Sequence, residues 1–368
     1  MRIAVSGGGT GGHTFPALAI IQELGRRDPA LDLLFIGKRG NLEERVAAAE
    51  TIPFRAVTCA PWHGTRMVAR PVALACLAWG TLRATLTLLR FKPQVVVVTG
   101  GYVSLPTAIA SAILRLPLVV HEQNRRPGLS NRIAGRFATV VALSYADSSG
   151  TFPAPRTTLT GMPVRAGLLT GMSKEQCLDL FSLESGKFTV FVFGGSQGAR
   201  SLNAAILDVL ARLDPDRFQV LISTGKTGYQ EVSKWAETLP VRVCVKPFIE
   251  QMAEAYAAAD LVVCRAGAST LAEIAFVGVP SILVPYPYAA EGHQEINAKA
   301  FQEVGASTII LDRELSGKTL ANAILTIADD ERVRDEMAAQ AQSTSRPEAA
   351  EAIVDLIFGV VFGQSPQT

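Results

Sequence analysis

The opening sixteen residues, MRIAVSGGGTGGHTFP, constrain the fold more than any other stretch of the chain. A short apolar run ending at Val5 meets six residues, Gly7 to Gly12, of which five are glycine, and Pro16 then opens an amphipathic segment. This pattern predicts a strand, an anion-cradling loop and a helix. Glycines let backbone N–H groups converge on a negative ligand, and the helix adds its positive N-terminal end. A phosphorylated ligand is the first expectation. The pattern restarts at residues 188 to 198, FTVFVFGGSQG, which run into a helical segment near Leu202. Two such starts predict an α/β chain of two Rossmann-like parallel-sheet halves: residues 1–163 and 164–345, with the site in a cleft between them.

Gly7, Gly9 and Gly12 also satisfy G-x-G-x-x-G, the dinucleotide-binding spacing. That reading wants an acid at the end of the second strand to hold a ribose. The second strand, Leu31 to Ile36, ends instead in Gly37, Lys38 and Arg39, which weakens a nicotinamide cofactor.

The chain has 368 residues, 48% hydrophobic and 18% charged, enough for two globular cores. Its five cysteines are scattered, with no C-x-x-C, which fits a reducing compartment. It starts directly on a strand, so no exported leader is expected. Charge is lopsided: residues 1 to 163 carry 18 Lys and Arg against 8 Asp and Glu, although the whole chain is only +2. No acid occurs between Glu50 and Glu122, an interval holding Arg55, Arg66, Arg70, Arg83, Arg90, Lys92 and Arg115. The first half is expected to meet an anionic partner.

Residues 72 to 91 place Trp79, Leu82, Leu86 and Leu89 on one helical face with Arg83 and Arg90 beside it. That suits an interfacial helix on an anionic membrane surface; a helix packed on its own sheet is the competing reading. Basic patches interleaved with aromatics are lacking, so nucleic acid is not expected as a partner. Residues 93 to 114 are uncharged, but Pro93, Gly100, Gly101 and Pro106 argue for a buried strand, Val95 to Val98, a glycine turn and a helix rather than a membrane span. Further strands are expected at Leu118–His121, Val140–Leu143, Phe218–Ile222, Leu261–Cys264 and Ser281–Val284.

Thr270 to Val277 reads as a short helix closed by Gly278, with Thr270 and Glu273 at capping-box spacing. The alternative for Glu273 is a carboxylate that accepts hydrogen bonds from a ribose diol. Of four histidines, His13, His63, His121 and His293, all but His63 are expected in loops at strand ends, where open α/β sheets bind ligands. His13, near a helix N-terminus, would favour the neutral imidazole that a general base needs. Asp214 and Asp216 form a D-x-D triplet that reads as a proline turn rather than a metal site.

Six ordered motifs carry a family resemblance: GGTGGH at 8–13, GGYVS at 100–104, HEQNRRPGLSNR at 121–132, GGSQGAR at 194–200, CRAGASTLAEI at 264–274 and HQEINA at 293–298. Together they resemble the MurG family of bacterial transferases. That family adds N-acetylglucosamine to undecaprenyl-pyrophosphoryl-N-acetylmuramyl-pentapeptide, the lipid precursor of peptidoglycan. The resemblance implies a GT-B fold, no cofactor, no metal dependence and inversion at the anomeric carbon. It also implies that residues 348–362 pack back on the first half.

By the same resemblance the nucleotide sugar contacts Thr10, Gly11, Gly12, Asn124, Arg165, Ser196, Ile249, Ala268, Ser269, Thr270, Leu271, Ala272, Glu273 and Gln294. Glu273 would hold the ribose, the Ile249 backbone the uracil and Ser196 a phosphate. Met162 stands where Asn is common, so any role of that side chain is not carried over. For the base, His13 comes first, with Glu122 and His121 as competitors, and Tyr102 positions a substrate. The implied partners are UDP-N-acetylglucosamine, the undecaprenyl-linked acceptor lipid I, an anionic membrane surface and other cell-wall synthesis proteins. The implied location is peripheral, on the cytoplasmic face of the plasma membrane. A sugar-nucleotide epimerase, a dehydrogenase and a non-catalytic lipid-recruiting subunit are the competing classes.

Overall fold

The computed structural model describes residues 1–61, 70–195 and 198–363. The first elements are β1 (Arg2–Ser6), α1 (Gly11–Arg27), β2 (Asp32–Gly37), α2 (Leu42–Ala49), β3 (Phe54–Ala56), α3 (Arg70–Phe91), β4 (Val95–Val98), α4 (Leu105–Ile113), β5 (Leu118–Glu122), α5 (Leu129–Ala134), β6 (Val140–Leu143) and β7 (Thr157–Leu159). There follow α6 (Lys174–Leu180), β8 (Phe188–Phe193), α7 (Arg200–Leu210), β9 (Phe218–Ser223), α8 (Tyr229–Ala236), β10 (Arg242–Lys246), α9 (Met252–Ala258), β11 (Leu261–Cys264) and α10 (Ala268–Val277). The chain continues through β12 (Ser281–Leu283), α11 (His293–Glu303), β13 (Thr308–Ile309), α12 (Gly317–Asp329), α13 (Glu331–Ser343) and α14 (Ala349–Phe362). Two compact units result, one of Met1–Ala166 with Arg346–Thr368 and one of Gly167–Ser345.

The first unit is built on a parallel seven-stranded sheet of order β3-β2-β1-β4-β5-β6-β7. Helices cover both faces, so the central strands are largely apolar; all four valines of β4 are fully buried. The face under α3 and α4 buries Ala84, Leu88, Ala108 and Ala110. The opposite face is closed by α1 and α14, with Ile353, Val354 and Ile357 fully buried against Ile20 and Leu24. Arg27 of α1 donates to Asp355 of α14 at 2.5 Å and to Glu23 at 2.8 Å. Strand order reverses between β1 and β4, whose Ser6 and Val98 are in register. Their C-terminal ends therefore deliver the segment before α1 and the segment before α4 to one switch point, the usual ligand position in open α/β sheets.

The second unit repeats the plan with a parallel six-stranded sheet, β10-β9-β8-β11-β12-β13. Here the order reverses between β8 and β11. Leu202, Ile206 and Val209 of α7 pack with Leu320 and Ile324 of α12 on one face.

Two element starts differ from the sequence expectation. α1 begins at Gly11, not Pro16, because the helix can run through Pro16 near its start, where the missing N–H removes only one hydrogen bond. α10 begins at Ala268 with Gly267 as its N-cap, so Thr270 and Glu273 sit inside the helix and form no capping box.

Candidate active site

The switch point of the first unit gathers the residues that the sequence singles out at His13, Tyr102, His121 and Glu122. Thr10 caps α1 with extended backbone, and its carbonyl accepts from the N–H groups of His13 and Thr14. No acidic side chain occupies the first turn of α1, so its unpaired N–H groups and positive end remain available to an anion. The glycines here are required by close approach. A β-carbon at Gly9 (φ +89°) would lie 2.7 Å from the Tyr102 ring, and one at Gly8 would lie 2.6 Å from the Glu43 carboxyl carbon. Lys38 places its ammonium 5.7 Å from the centre of the Tyr102 ring.

His13 lies in the first turn of α1 and His121 within β5, while His293 opens α11. Sequence reading put all three in loops; α1 begins before His13 at Gly11, β5 runs on to Glu122, and α11 starts at His293 directly after Gly292, which has φ +71°. The ring of His13 is half-buried, and its Nδ1 lies 3.0 Å from the Thr99 carbonyl oxygen and 3.1 Å from Gln123 Oε1. A carbonyl only accepts, so Nδ1 carries the proton and Nε2 presents a lone pair. Nε2 has no hydrogen-bond partner among the described residues. Burial lowers the His13 pKa from 6.5, opposed by the bonds to Thr99 and Gln123, and the ring is neutral at neutral pH.

The two competing bases are placed differently. His121 is fully buried: its Nε2 lies 3.1 Å from the Gly161 oxygen and its Nδ1 3.0 Å from Gln123 Nε2. Burial pulls its pKa down to about 4. Glu122 is fully buried and accepts four hydrogen bonds, from the Asn124 N–H and side-chain amide, the Gly128 N–H and the Asn131 amide, at 2.8 to 3.1 Å. Burial raises its pKa against those bonds. Glu122 is thus committed to holding the segment from Asn124 to Asn131 and the His121 ring to Gly161 and Gln123, and neither offers an exposed atom to a substrate. Asn124 is likewise turned onto Glu122. Arg165 stacks its guanidinium 4.9 Å above the Phe15 ring, two residues beyond His13.

In the second unit, α10 follows β11 directly, and Ser269 in its first turn has a buried hydroxyl with no hydrogen-bond partner among the described residues. An N-terminal helix end and an unused hydroxyl form a suitable anion cradle. Thr270, Leu271 and Ala272 continue the helix to Glu273, which is 7% exposed and accepts from Tyr256 Oη at 3.0 Å. Ile249 is buried after β10, and Gln294 of α11 accepts from the Tyr286 N–H at 2.9 Å. Arg265, also buried, donates to Asp312 at 2.6 Å, to Ser201 at 2.7 Å and to the Val284 and Pro285 carbonyls, anchoring the loop after β12. Asp214 accepts from the Asp216 N–H at 3.0 Å, so the D-x-D triplet closes its own turn. Among the described residues no group of three His, Cys, Asp or Glu could hold a metal. Ser196, His63 and Arg66 lie outside the described residues. Sequence reading did not single out Thr99, Gln123, Asn131 or Tyr256, whose roles depend on contacts between distant segments.

Residues 3–143 match the glycosyltransferase family 28 N-terminal domain and residues 189–353 the glycosyltransferase family 28 C-terminal domain. A relative from Desulforudis audaxviator (strain MP104C) is 40% identical, covering 97% of this chain and 98% of its own. One from Bacillus subtilis (strain 168) is 36% identical over 97% of this chain and 99% of its own. Both are described as "UDP-N-acetylglucosamine--N-acetylmuramyl-(pentapeptide) pyrophosphoryl-undecaprenol N-acetylglucosamine transferase". Among solved structures, MurG of Acinetobacter baumannii superposes with a TM-score of 0.73 at 27% identity, covering 97% of this chain and 99% of that one. A UDP-GlcNAc 2-epimerase from Neisseria meningitidis reaches a TM-score of 0.68 over 97% of this chain and 100% of that one, but at 13% identity it shares the fold alone.

Proposed function

The chain belongs to glycosyltransferase family 28, among the N-acetylglucosamine transferases of peptidoglycan synthesis, and from that premise we propose how its residues divide the work. The enzyme moves N-acetylglucosamine from UDP-N-acetylglucosamine to undecaprenyl-pyrophosphoryl-N-acetylmuramyl-pentapeptide, converting lipid I to lipid II. The observation that carries this assignment is 40% identity maintained across 97% of the chain, both family 28 domains included.

His13 is the general base. Its Nε2 lone pair removes the proton of the acceptor's 4-hydroxyl as that oxygen attacks the anomeric carbon in line, inverting it, and the uridine diphosphate departs. The support is geometric: among the described residues both ring nitrogens of His121 and both carboxylate oxygens of Glu122 are taken by hydrogen bonds, whereas His13 Nε2 is not. The departing charge falls to helix N-termini, those of α1 and α10, with the Ser269 hydroxyl and Ser196. Glu273 receives the ribose hydroxyls and the Ile249 backbone the uracil. Thr10, Gly11, Gly12, Asn124, Arg165, Ala268, Thr270, Leu271, Ala272 and Gln294 complete the donor set. Tyr102 packs on the first glycine loop and positions the acceptor.

The same reading puts the enzyme peripherally on the cytoplasmic face of the plasma membrane, α3 against anionic lipid, with other cell-wall synthesis proteins as neighbours. Its support is the exposure of Trp79, Leu82, Leu86 and Leu89 beside Arg83 and Arg90. The deciding experiment follows label from UDP-N-acetylglucosamine into a short-chain lipid I analogue with a metal chelator present. Transfer is expected, and the His13→Ala variant should lose it by about 10²-fold or more. Donor turnover without any acceptor would instead reveal an epimerase.

A further inference from the structure

Between the loop after β4 and the end of β5 runs a hydrogen-bond chain whose direction is fixed at both ends by main-chain carbonyls. At one end, Gly161 O can only accept, so His121 Nε2, 3.1 Å away, carries a proton and His121 Nδ1 is left as an acceptor. Gln123 Nε2 donates to that nitrogen at 3.0 Å and to Thr99 O at 2.6 Å. The Thr99 carbonyl also fixes the orientation of the amide, because a flipped Gln123 would oppose two carbonyl oxygens at 2.6 Å. Gln123 Oε1 must therefore face His13 Nδ1, 3.1 Å away, and accept its proton. Every polar atom of the Gln123 side chain is engaged, and Gln123 itself is 1% exposed. Thr99 Oγ1 completes the clamp by donating to His13 O at 2.6 Å.

We propose that Gln123 is a positioning residue for the transfer reaction: through the chain Gly161–His121–Gln123–His13, and beside the Thr99 carbonyl that Nδ1 also meets at 3.0 Å, it holds His13 in the Nδ1–H tautomer and aims the Nε2 lone pair at the acceptor hydroxyl. The proposal rests on His13 being the base. A neutral amide orders the ring without adding a charge beside it, unlike the carboxylate that does this in Ser–His–Asp sites. His121 serves as the amide's support, not as a second base. Gln123 is buried away from the surface a substrate would meet, so its loss should act on turnover and not on donor affinity.

The test uses the full-length enzyme with 15N-labelled histidine, in which imidazole nitrogen shifts report the tautomer directly. The His13 signals, assigned by their disappearance in His13→Ala, are expected to show a protonated Nδ1 and an unprotonated Nε2. In Gln123→Met, similar in size and without hydrogen bonds, Nδ1–H keeps only the Thr99 carbonyl as acceptor, and a fraction of the Nε2–H tautomer should appear beside the Nδ1–H form. Its kcat should fall by about 10²-fold while the KM for UDP-N-acetylglucosamine stays within about twofold. A wild-type His13 protonated on Nε2 overturns the proposal without any variant, as does a Gln123→Met enzyme that folds and retains full kcat. If His13→Ala itself keeps near-normal kcat, the base assignment falls first and the positioning role falls with it.

Discussion

Gly101 approaches Gly8 so closely that a β-carbon on Gly101, at φ +77°, would lie 2.0 Å from the Gly8 carbonyl oxygen. The two glycine segments at the first switch point are thus packed backbone against backbone, and the Gly8 N–H reaches Gly100 O at 3.4 Å. An alanine at Gly101 meets both the steric clash and a left-handed backbone. The expected cost of Gly101→Ala is about 2 kcal/mol or more, read as a lowered midpoint in urea, with loss of transfer activity at temperatures where the protein is still folded. Wild-type activity and stability in this variant would show that the loop has room to move.

The Tyr256–Glu273 hydrogen bond makes a comparable statement about the second unit. Tyr256 is 1% exposed and its hydroxyl holds Oε2 of Glu273 at 3.0 Å. If Glu273 receives the ribose, removing the hydroxyl leaves the carboxylate less well aimed. Tyr256→Phe should raise the donor KM several-fold, change kcat little and cost about 1 kcal/mol of stability. Glu273→Ala should raise the donor KM further. An unchanged KM in both variants would remove Glu273 from the donor site.

How much of this was legible in the sequence follows from the range of the signals. The valines of β4 and the apolar run of β11 announce buried parallel strands, and both occupy the expected residues, Val95–Val98 and Leu261–Cys264. Helix starts were less legible, because neither N-cap, Thr10 nor Gly267, is tied in by a side-chain hydrogen bond and the nearby Pro16 and Thr270 looked like better boundaries. The histidines could be picked by scarcity, but not ranked. What separates His13 from His121 is one nitrogen left open, and that depends on Thr99, Gln123 and Gly161, which are up to 148 residues from His13. No local pattern contains that information.

His121 makes the fold sensitive to acid. In the unfolded chain its imidazole titrates near 6.5, whereas burial holds the folded value down to about 4. The folded state therefore binds fewer protons across that window, and its stability is full above pH 6.5 and lost as pH falls toward 4. The loss should reach about 2 kcal/mol between pH 7.5 and pH 5. Glu122 works in the opposite sense, since its raised pKa favours the folded state at low pH, so the net slope is shallower than His121 alone gives. Urea midpoints measured from pH 8 to pH 5 should fall in the wild type and fall less in His121→Gln. Parallel curves for the two proteins would assign the acid sensitivity elsewhere.

The outer face of α3 makes the membrane reading testable. Ala73, Gly80, Ala84 and Leu88 are buried, and a β-carbon at Gly80 would lie 2.0 Å from the Thr58 oxygen, so the small-residue face is the one that packs on the domain. Trp79, Leu82, Leu86 and Leu89, spaced by three and four residues on the other side, are 45 to 54% exposed. Among the described residues about half of each of these side chains is open to solvent. The pair Trp79→Glu and Leu86→Glu should therefore leave the thermal midpoint and the turnover of a water-soluble acceptor unchanged, while binding to vesicles containing anionic lipid drops at least tenfold. Arg83→Ala and Arg90→Ala should each weaken vesicle binding by about fivefold at low ionic strength, with the difference shrinking as salt is added. Vesicle binding that survives all four substitutions would mean that a different surface meets the lipid.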